Sequence, residues 1–382
     1  MSNQYSEKRP LALNAINRLR LGLPPTGFVR RLTVGRKDEL AKLKALLDDA
    51  NGAKGNAMLL AANYGAGKTH LIQYLRELAL DKKYVVSTFD VDPKAGIRFN
   101  RMDQMVGEIC RQLEMPANKF NSTYQHIGDF FNFLATLPDK RLHTAFQQLR
   151  SNALKMALSA WRFGDDNTRN LVTDWLTNPA AYKGSGKKLK TELYDKNCLA
   201  RPDEWRFDLS ACSEFMLDAG DNYLHCWQLL AGLHTLAQAA GFKGLVVLFD
   251  EFERSVIDLK NQNYQKAAFA NLFKFYDGSE FPGKSFYATT PQFSESFRWL
   301  YPREFKQLPM FGLPPLAASR LLFLAKKGIL PLYCEAYPKF TLAAESAPFA
   351  EWIKQTPQIE DRARQAIKNI VEHLDEIREN AQ

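Results

Sequence analysis

"AANYGAGKTH", residues 61 to 70, sets two glycines, a lysine and a threonine between an apolar run and an amphipathic stretch. The pattern is close to the phosphate-binding loop G-x-x-x-x-G-K-[ST], with Ala62 where the first glycine would stand. That glycine mostly eases a tight turn at a strand end, so alanine is tolerated there while φ stays negative. Gly65 and Gly67, where backbone meets phosphate, are intact. The flanks carry the decision. "AMLLAAN" (57 to 63) reads as a buried strand, and "HLIQYLRELAL" (70 to 80) places Leu71, Leu75, Leu78 and Ala79 on one helical face. Strand, glycine-rich turn and helix follow in the order such a loop requires.

In such a loop the backbone N–H groups of Asn63, Tyr64, Gly65, Ala66, Gly67 and Lys68 curl around the β-phosphate, and the helix that follows aims its positive end at the same point. Lys68 is placed to reach the β- and γ-phosphates, the Thr69 hydroxyl to ligate Mg²⁺, and His70 closes the nucleotide-contacting run. A second pattern, "LVVLFDEFE" (245 to 253), is a hydrophobic strand ending in two acids. Asp250 is then expected at the carboxyl edge of the sheet, holding Mg²⁺ through water, with Glu251 polarising the attacking water as general base. Two such patterns in this order point to ATP or GTP.

Other residues carry less. Thr289 or Thr290, at the tip of "SFYATTP" (285 to 291), is placed to sense the γ-phosphate, and a plain turn before Pro291 fits the same residues. Arg298 and Arg303 in "ESFRWLYPREF" suit an arginine finger toward a neighbouring subunit; a solvated helix end suits them equally. Arg362 and Arg364 in "IEDRARQAIKN" are within reach of a nucleotide from a C-terminal lid, or form a charged exposed face. "KGSGKKLK" (183 to 190) echoes the loop, yet it follows no apolar strand and has Lys188 where Ser or Thr is needed. Its Lys183, Lys187, Lys188 and Lys190 instead form a flexible basic segment able to grip a nucleic-acid backbone.

The alternation of strands and amphipathic helices predicts an α/β fold, a P-loop NTPase with a parallel sheet covered by helices on both faces. Further strands are expected at 84 to 92, 244 to 251 and 285 to 291, with a weaker one in "FKQLPMF" (305 to 311), where Pro309 demands an edge or end. Between the second and third strands a crossover needs roughly 30 residues. Residues 97 to 242 exceed that and read as a helical insertion, with helices expected at 102 to 115, 141 to 161 and 223 to 241. The division expected is a core over 1 to 311, including a lead-in and the insertion, and a helical lid over 312 to 382.

Composition narrows the class. The 382 residues are 46% hydrophobic and 24% charged, ordinary for a soluble globular chain. No apolar run approaches the roughly 18 residues of a membrane span, and "MSNQYSEKRP" lacks a secretory h-region, so no membrane partner and a cytoplasmic location are expected. Five cysteines without a C-x-x-C pair signal neither disulfides nor zinc. A net charge of +9 suits a polyanion partner without fixing one.

Four stretches, in order, resemble the BrxC/BrxD group of P-loop ATP-binding proteins from BREX phage-defence systems. They are "AINRLRLGLPPTGFVRRLTVGRKDEL" (15 to 40), "NYGAGKTHLIQYLRELAL", "GFKGLVVLFDEFE" and "GLPPLAASRLLFLAKKGILPLYCEAYP". They are also similar to origin-recognition-type AAA+ ATPases, in which a "VGR" turn lies near the adenine. The likeness runs from about residue 12 to 380, with "LTVGR" and "LRLGLPP" its more specific parts. It implies that Gly35 and Arg36 stand on the base or ribose side, that Thr290 rather than Thr289 is the sensor, and that ATP, Mg²⁺, defence-system subunits, a homo-oligomer and DNA are the ligands and partners to test. No winged helix is expected within 312 to 382 after the lid, so the resemblance does not extend to autonomous sequence-specific DNA binding. Three readings follow: an AAA+-like ATPase acting as a nucleotide-driven switch or motor, an ATP-holding scaffold, and a small-molecule kinase. Glu251 directly after Asp250 favours the first.

Overall fold

Six strands pair into one sheet among the described residues: β1 (Ala57–Ala61), β2 (Val85–Asp90), β3 (Leu113–Glu114), β4 (Leu245–Asp250), β5 (Lys284–Thr289) and β6 (Met310–Gly312). The computed structural model describes residues 2–49, 57–116, 126–182, 184–196, 202–207, 217, 223–305, 310–357 and 361–380. The spatial order is β3-β2-β4-β5-β1-β6, parallel throughout except where β3 runs against β2. All six residues of β4 and of β5 are buried, as strands covered on both faces at a sheet centre must be. The predicted strands therefore form. The short edge strand β3 was not legible, and most of the weak strand expected over 305 to 311 lies outside the described residues, leaving β6 at its end.

Strand side chains alternate between the two faces. Leu245, Val247 and Phe249 of β4 join the larger core, while Val246 and Leu248 join the core beneath α2 (Lys37–Asp48) and α3 (Lys68–Asp81). On the larger face Phe249 stacks on Tyr287 of β5, with centroids 4.7 Å apart and planes 9° from parallel.

The insertion supplies the cover for that face: α4 (Met102–Arg111), α5 (Ile127–Ala135), α6 (Asp139–Gln148), α7 (Asn152–Phe163), α8 (Asp166–Thr177) and α9 (Leu224–Ala239) share its core. One expectation is corrected here. The apolar periodicity of 141 to 161 runs on without a gap, but the helix breaks between α6 and α7, where Ser151 accepts a hydrogen bond from Leu154 N at 3.1 Å as an N-cap. The basic segment expected to be a flexible loop is helical over Gly186–Leu189, with Lys187 and Lys188 exposed and Lys190 half-buried; Lys183 lies outside the described residues.

A second core gathers the C-terminal helices: α10 (Ala318–Leu324), α11 (Leu330–Ala336), α12 (Phe349–Gln355) and α13 (Arg362–Asn380). The first helix of the chain, Ser2–Arg20, packs into this core through Ala12, Ala15, Ile16 and Leu19. Arg20 seals the join, donating from Nε at 2.6 Å and Nη2 at 2.8 Å to Asp375, which also accepts from the Tyr333 hydroxyl at 2.5 Å. Lead-in and C-terminal helices thus form one layer beside the end of the sheet that carries the glycine-rich loop.

Candidate functional site

At the carboxyl ends of the strands the glycine-rich turn, the two acids and the C-terminal layer enclose one cleft. Gly65 and Gly67 have φ of 72° and 96°, left-handed values at which a side chain is strained, so the loop needs glycine at both places. The strand β1 delivers the loop, and α3 begins directly after Gly67. Lys68 is buried and its Nζ donates to Ala62 O at 2.7 Å and to Asn63 O at 3.4 Å, while lying over the Tyr64 ring, 5.0 Å from its centroid. Burial lowers its pKa, and Glu253, Asp250 and Glu251 pull it back up.

Asp250 ends β4 and is buried. Burial pushes its carboxyl up to about 6, against a hydrogen bond from the Thr69 side chain that favours the charged form. Hydroxyl and carboxylate are thus brought together from the two motifs. Glu251, next in the chain, holds φ at 50°, unusual for a residue with a side chain, and its N–H donates to Asp250 Oδ1 at 3.0 Å. Its carboxylate pairs with Arg254 at 2.8 Å, and Arg254 also donates to Asp92 at 3.0 Å.

The cleft is lined by Tyr64 to His70, Arg36, Arg364, Asp250 and Glu251. Its other end is apolar, with Leu19, Leu23, Pro24, Leu316, Leu324 and Ile367 supplied by the lead-in and the C-terminal layer. His70 is half-buried, and its Nε2 meets Thr33 Oγ1 at 2.8 Å. Because the Thr33 hydroxyl donates to Val29 O at 2.7 Å, its oxygen accepts from the imidazole.

The remaining expected residues fall in different places. Gly35 and Asn63 flank the cleft without lining it. Arg36 lines it but directs its guanidinium to Ala66 O at 2.8 Å, Pro314 O at 2.7 Å and Glu39 at 3.3 Å, which makes it a brace for the loop. Thr290 is buried at the tip of β5, between β1 and β4, and its hydroxyl has no hydrogen-bond partner among the described residues. Arg298 and Arg303 are exposed and outside the cleft.

Two groups went unread in the sequence. Glu253, the last acid of "LVVLFDEFE", is 1% exposed, lines the cleft, and leaves its Oε2 without a hydrogen-bond partner among the described residues. Burial raises its pKa, with Lys68 drawing it down. Asp90 and Asp92, at and beyond the tip of β2, bring the Arg254 bridge; the "DVD" at 90 to 92 was the available signal. Among the described residues no helix is long and apolar enough to cross a membrane.

Residues 8–137 match the model of the family described as BREX system ATP-binding protein BrxC/D. The match takes in the lead-in, the glycine-rich loop and the first insertion helices, and ends before β4. Neither a curated protein nor a solved structure matches the chain.

Proposed function

We propose that this BrxC/D-like chain binds ATP with Mg²⁺ in the cleft and hydrolyses it, as an AAA+-like ATPase that switches state within a phage-defence assembly acting on or near DNA. What carries the reading is the meeting, at one end of a half-apolar cleft, of the loop from Gly65 to Thr69 with Asp250 and Glu251. The apolar end suits a base, and the loop suits phosphates.

The donor set fits the metal. Mg²⁺ takes hard oxygen ligands and in nucleotide sites is held by one or two side chains plus phosphates, so Thr69 and Asp250 suffice. The ion, when bound, would neutralise charge on the phosphates. Lys68 would leave the Ala62 carbonyl for the phosphates, Arg36 would hold the loop in shape from below, and Glu251 would accept a proton from water. Thr290, with its free hydroxyl between loop and acids, suits a γ-phosphate contact. Arg298 and Arg303, exposed and outside the cleft, suit contacts with a second subunit.

One observation favours the scaffold alternative: Arg254 holds Glu251 at 2.8 Å, engaging the proposed base. Steady-state hydrolysis by the wild type and Glu251→Gln, with and without duplex DNA at two salt concentrations, separates the readings. Turnover lost in Glu251→Gln supports an ATPase, and DNA stimulation that fades with salt supports phosphate contacts by the basic surface. Bound nucleotide with no turnover in any condition supports the scaffold.

A further inference from the structure

The helix α3 starts on Gly67, which has no side chain to cap the amides behind it. The first amides of a helix have no carbonyl one turn earlier to bond, and together with the axial dipole they attract an anion. A carboxylate of the chain lies against the loop just ahead of them, at Gly65. A side-chain carbon built on Gly65 would stand 1.9 Å from Asp361 Oδ1 and 2.6 Å from Asp361 Cα, so both the carboxylate and the backbone of Asp361 rest on the loop.

The fit is incomplete. Asp361 Oδ1 is buried and has no hydrogen-bond partner among the described residues, and Arg364 Nε stands 3.6 Å away, within ion-pair but beyond hydrogen-bond distance. A phosphate, with more acceptor oxygens, would satisfy the same loop better. The two anions cannot share it, because Asp361 takes the space above Gly65 and carries the same sign of charge.

Asp361 also begins a lever. Its carbonyl accepts from Gln365 N at 3.1 Å, opening α13, whose distant part is fixed by Asp375 to Arg20 and to the Tyr333 hydroxyl. Arg364 lies against Gly22 at the end of the lead-in helix, where an added Cβ would meet its Cγ at 2.8 Å. A push at the near end of α13 therefore reaches the lead-in.

We propose that Asp361 is an internal competitor for nucleotide phosphate: it occupies the loop when nucleotide is absent, and phosphate entry expels it and tilts the start of α13 about its Asp375–Arg20 anchor. The inference rests on the nucleotide reading above and names the part that moves.

Binding of a fluorescent ATP analogue to wild type, Asp361→Asn, Asp361→Ala and Lys68→Ala tests it, with thermal unfolding as the check on folding. Both Asp361 variants should bind about tenfold more tightly than wild type, since the competing state is removed. In the wild type, ATP should speed amide hydrogen exchange over residues 361 to 367. Affinity that is unchanged or weaker in both folded Asp361 variants overturns the proposal, as does exchange that ATP leaves unchanged or slows. Lys68→Ala separates the two claims: if it binds like wild type, the nucleotide site itself is misplaced and the proposal falls with it. If Lys68→Ala is weak while Asp361→Asn equals wild type, the site stands and only the competitor is lost.

Discussion

The Arg36 guanidinium donates to the carbonyl of Ala66 in the glycine-rich loop at 2.8 Å, and the same group reaches Pro314 O at 2.7 Å. Three segments far apart in sequence are thereby tied at one buried cation. Arg36→Ala leaves two carbonyls without their donor, and a lost charged hydrogen bond in a buried place costs about 2–4 kcal/mol. A lower denaturant midpoint and weaker nucleotide binding are expected together. Arg36→Lys should recover little, because one ammonium lacks the fork that spans both acceptors. Wild-type stability in Arg36→Ala would remove the brace from the account.

Lys68 and Glu251 should separate binding from turnover. Lys68→Ala is expected to abolish hydrolysis through loss of nucleotide binding. Glu251→Gln should keep affinity and slow turnover by about 10²–10⁴-fold, the range of a lost general base. Calorimetric binding alongside single-turnover hydrolysis reads the two effects apart, and unchanged turnover in both variants would refute the assignment.

What the sequence made legible was local. The loop, its flanking strand and helix, and the Asp-Glu strand end are each contained in about ten residues, and their order suffices to place them at one sheet edge. What it hid was long-range. Arg36 meets Ala66 across 30 positions, and the Asp92–Arg254–Glu251 bridge joins positions 162 residues apart. The lead-in was legible only as a stretch ahead of the loop, not as a helix whose buried face meets Tyr333 and Ala366 in a C-terminal core. The break at Ser151 was masked because apolar residues recur at helical steps on both sides of it.

Glu253 offers a test of stability against function. Its carboxyl is held above its ordinary range by burial, so the fold disfavours the charged form, and the stability it contributes is lost as pH rises through its folded value. Glu253→Gln stays neutral and removes a like charge beside Asp250 and Glu251. At pH 7.5 it should stabilise the protein by about 1 kcal/mol and raise the melting temperature. A lower melting temperature would show that the attraction to Lys68 outweighs the burial cost.

His234 governs the acid side of stability. It is buried, its Nδ1 accepts from Leu245 N at 3.2 Å, and burial with nearby Lys284 lowers its pKa to about 4. The unfolded chain takes up this proton near the ordinary value of 6.5 and the folded chain only near 4. The stabilisation is therefore complete above pH 6.5 and is lost as pH falls toward 4. His70 behaves alike, lowered to about 4 by burial and by Arg36. His234→Asn keeps an acceptor but takes up no proton. In chemical denaturation between pH 4.5 and 6, its stability should fall by about 1.4 kcal/mol less per pH unit than that of the wild type, the worth of one proton. Parallel curves would mean that the imidazole at the start of β4 is protonated in the folded chain as readily as in the unfolded one.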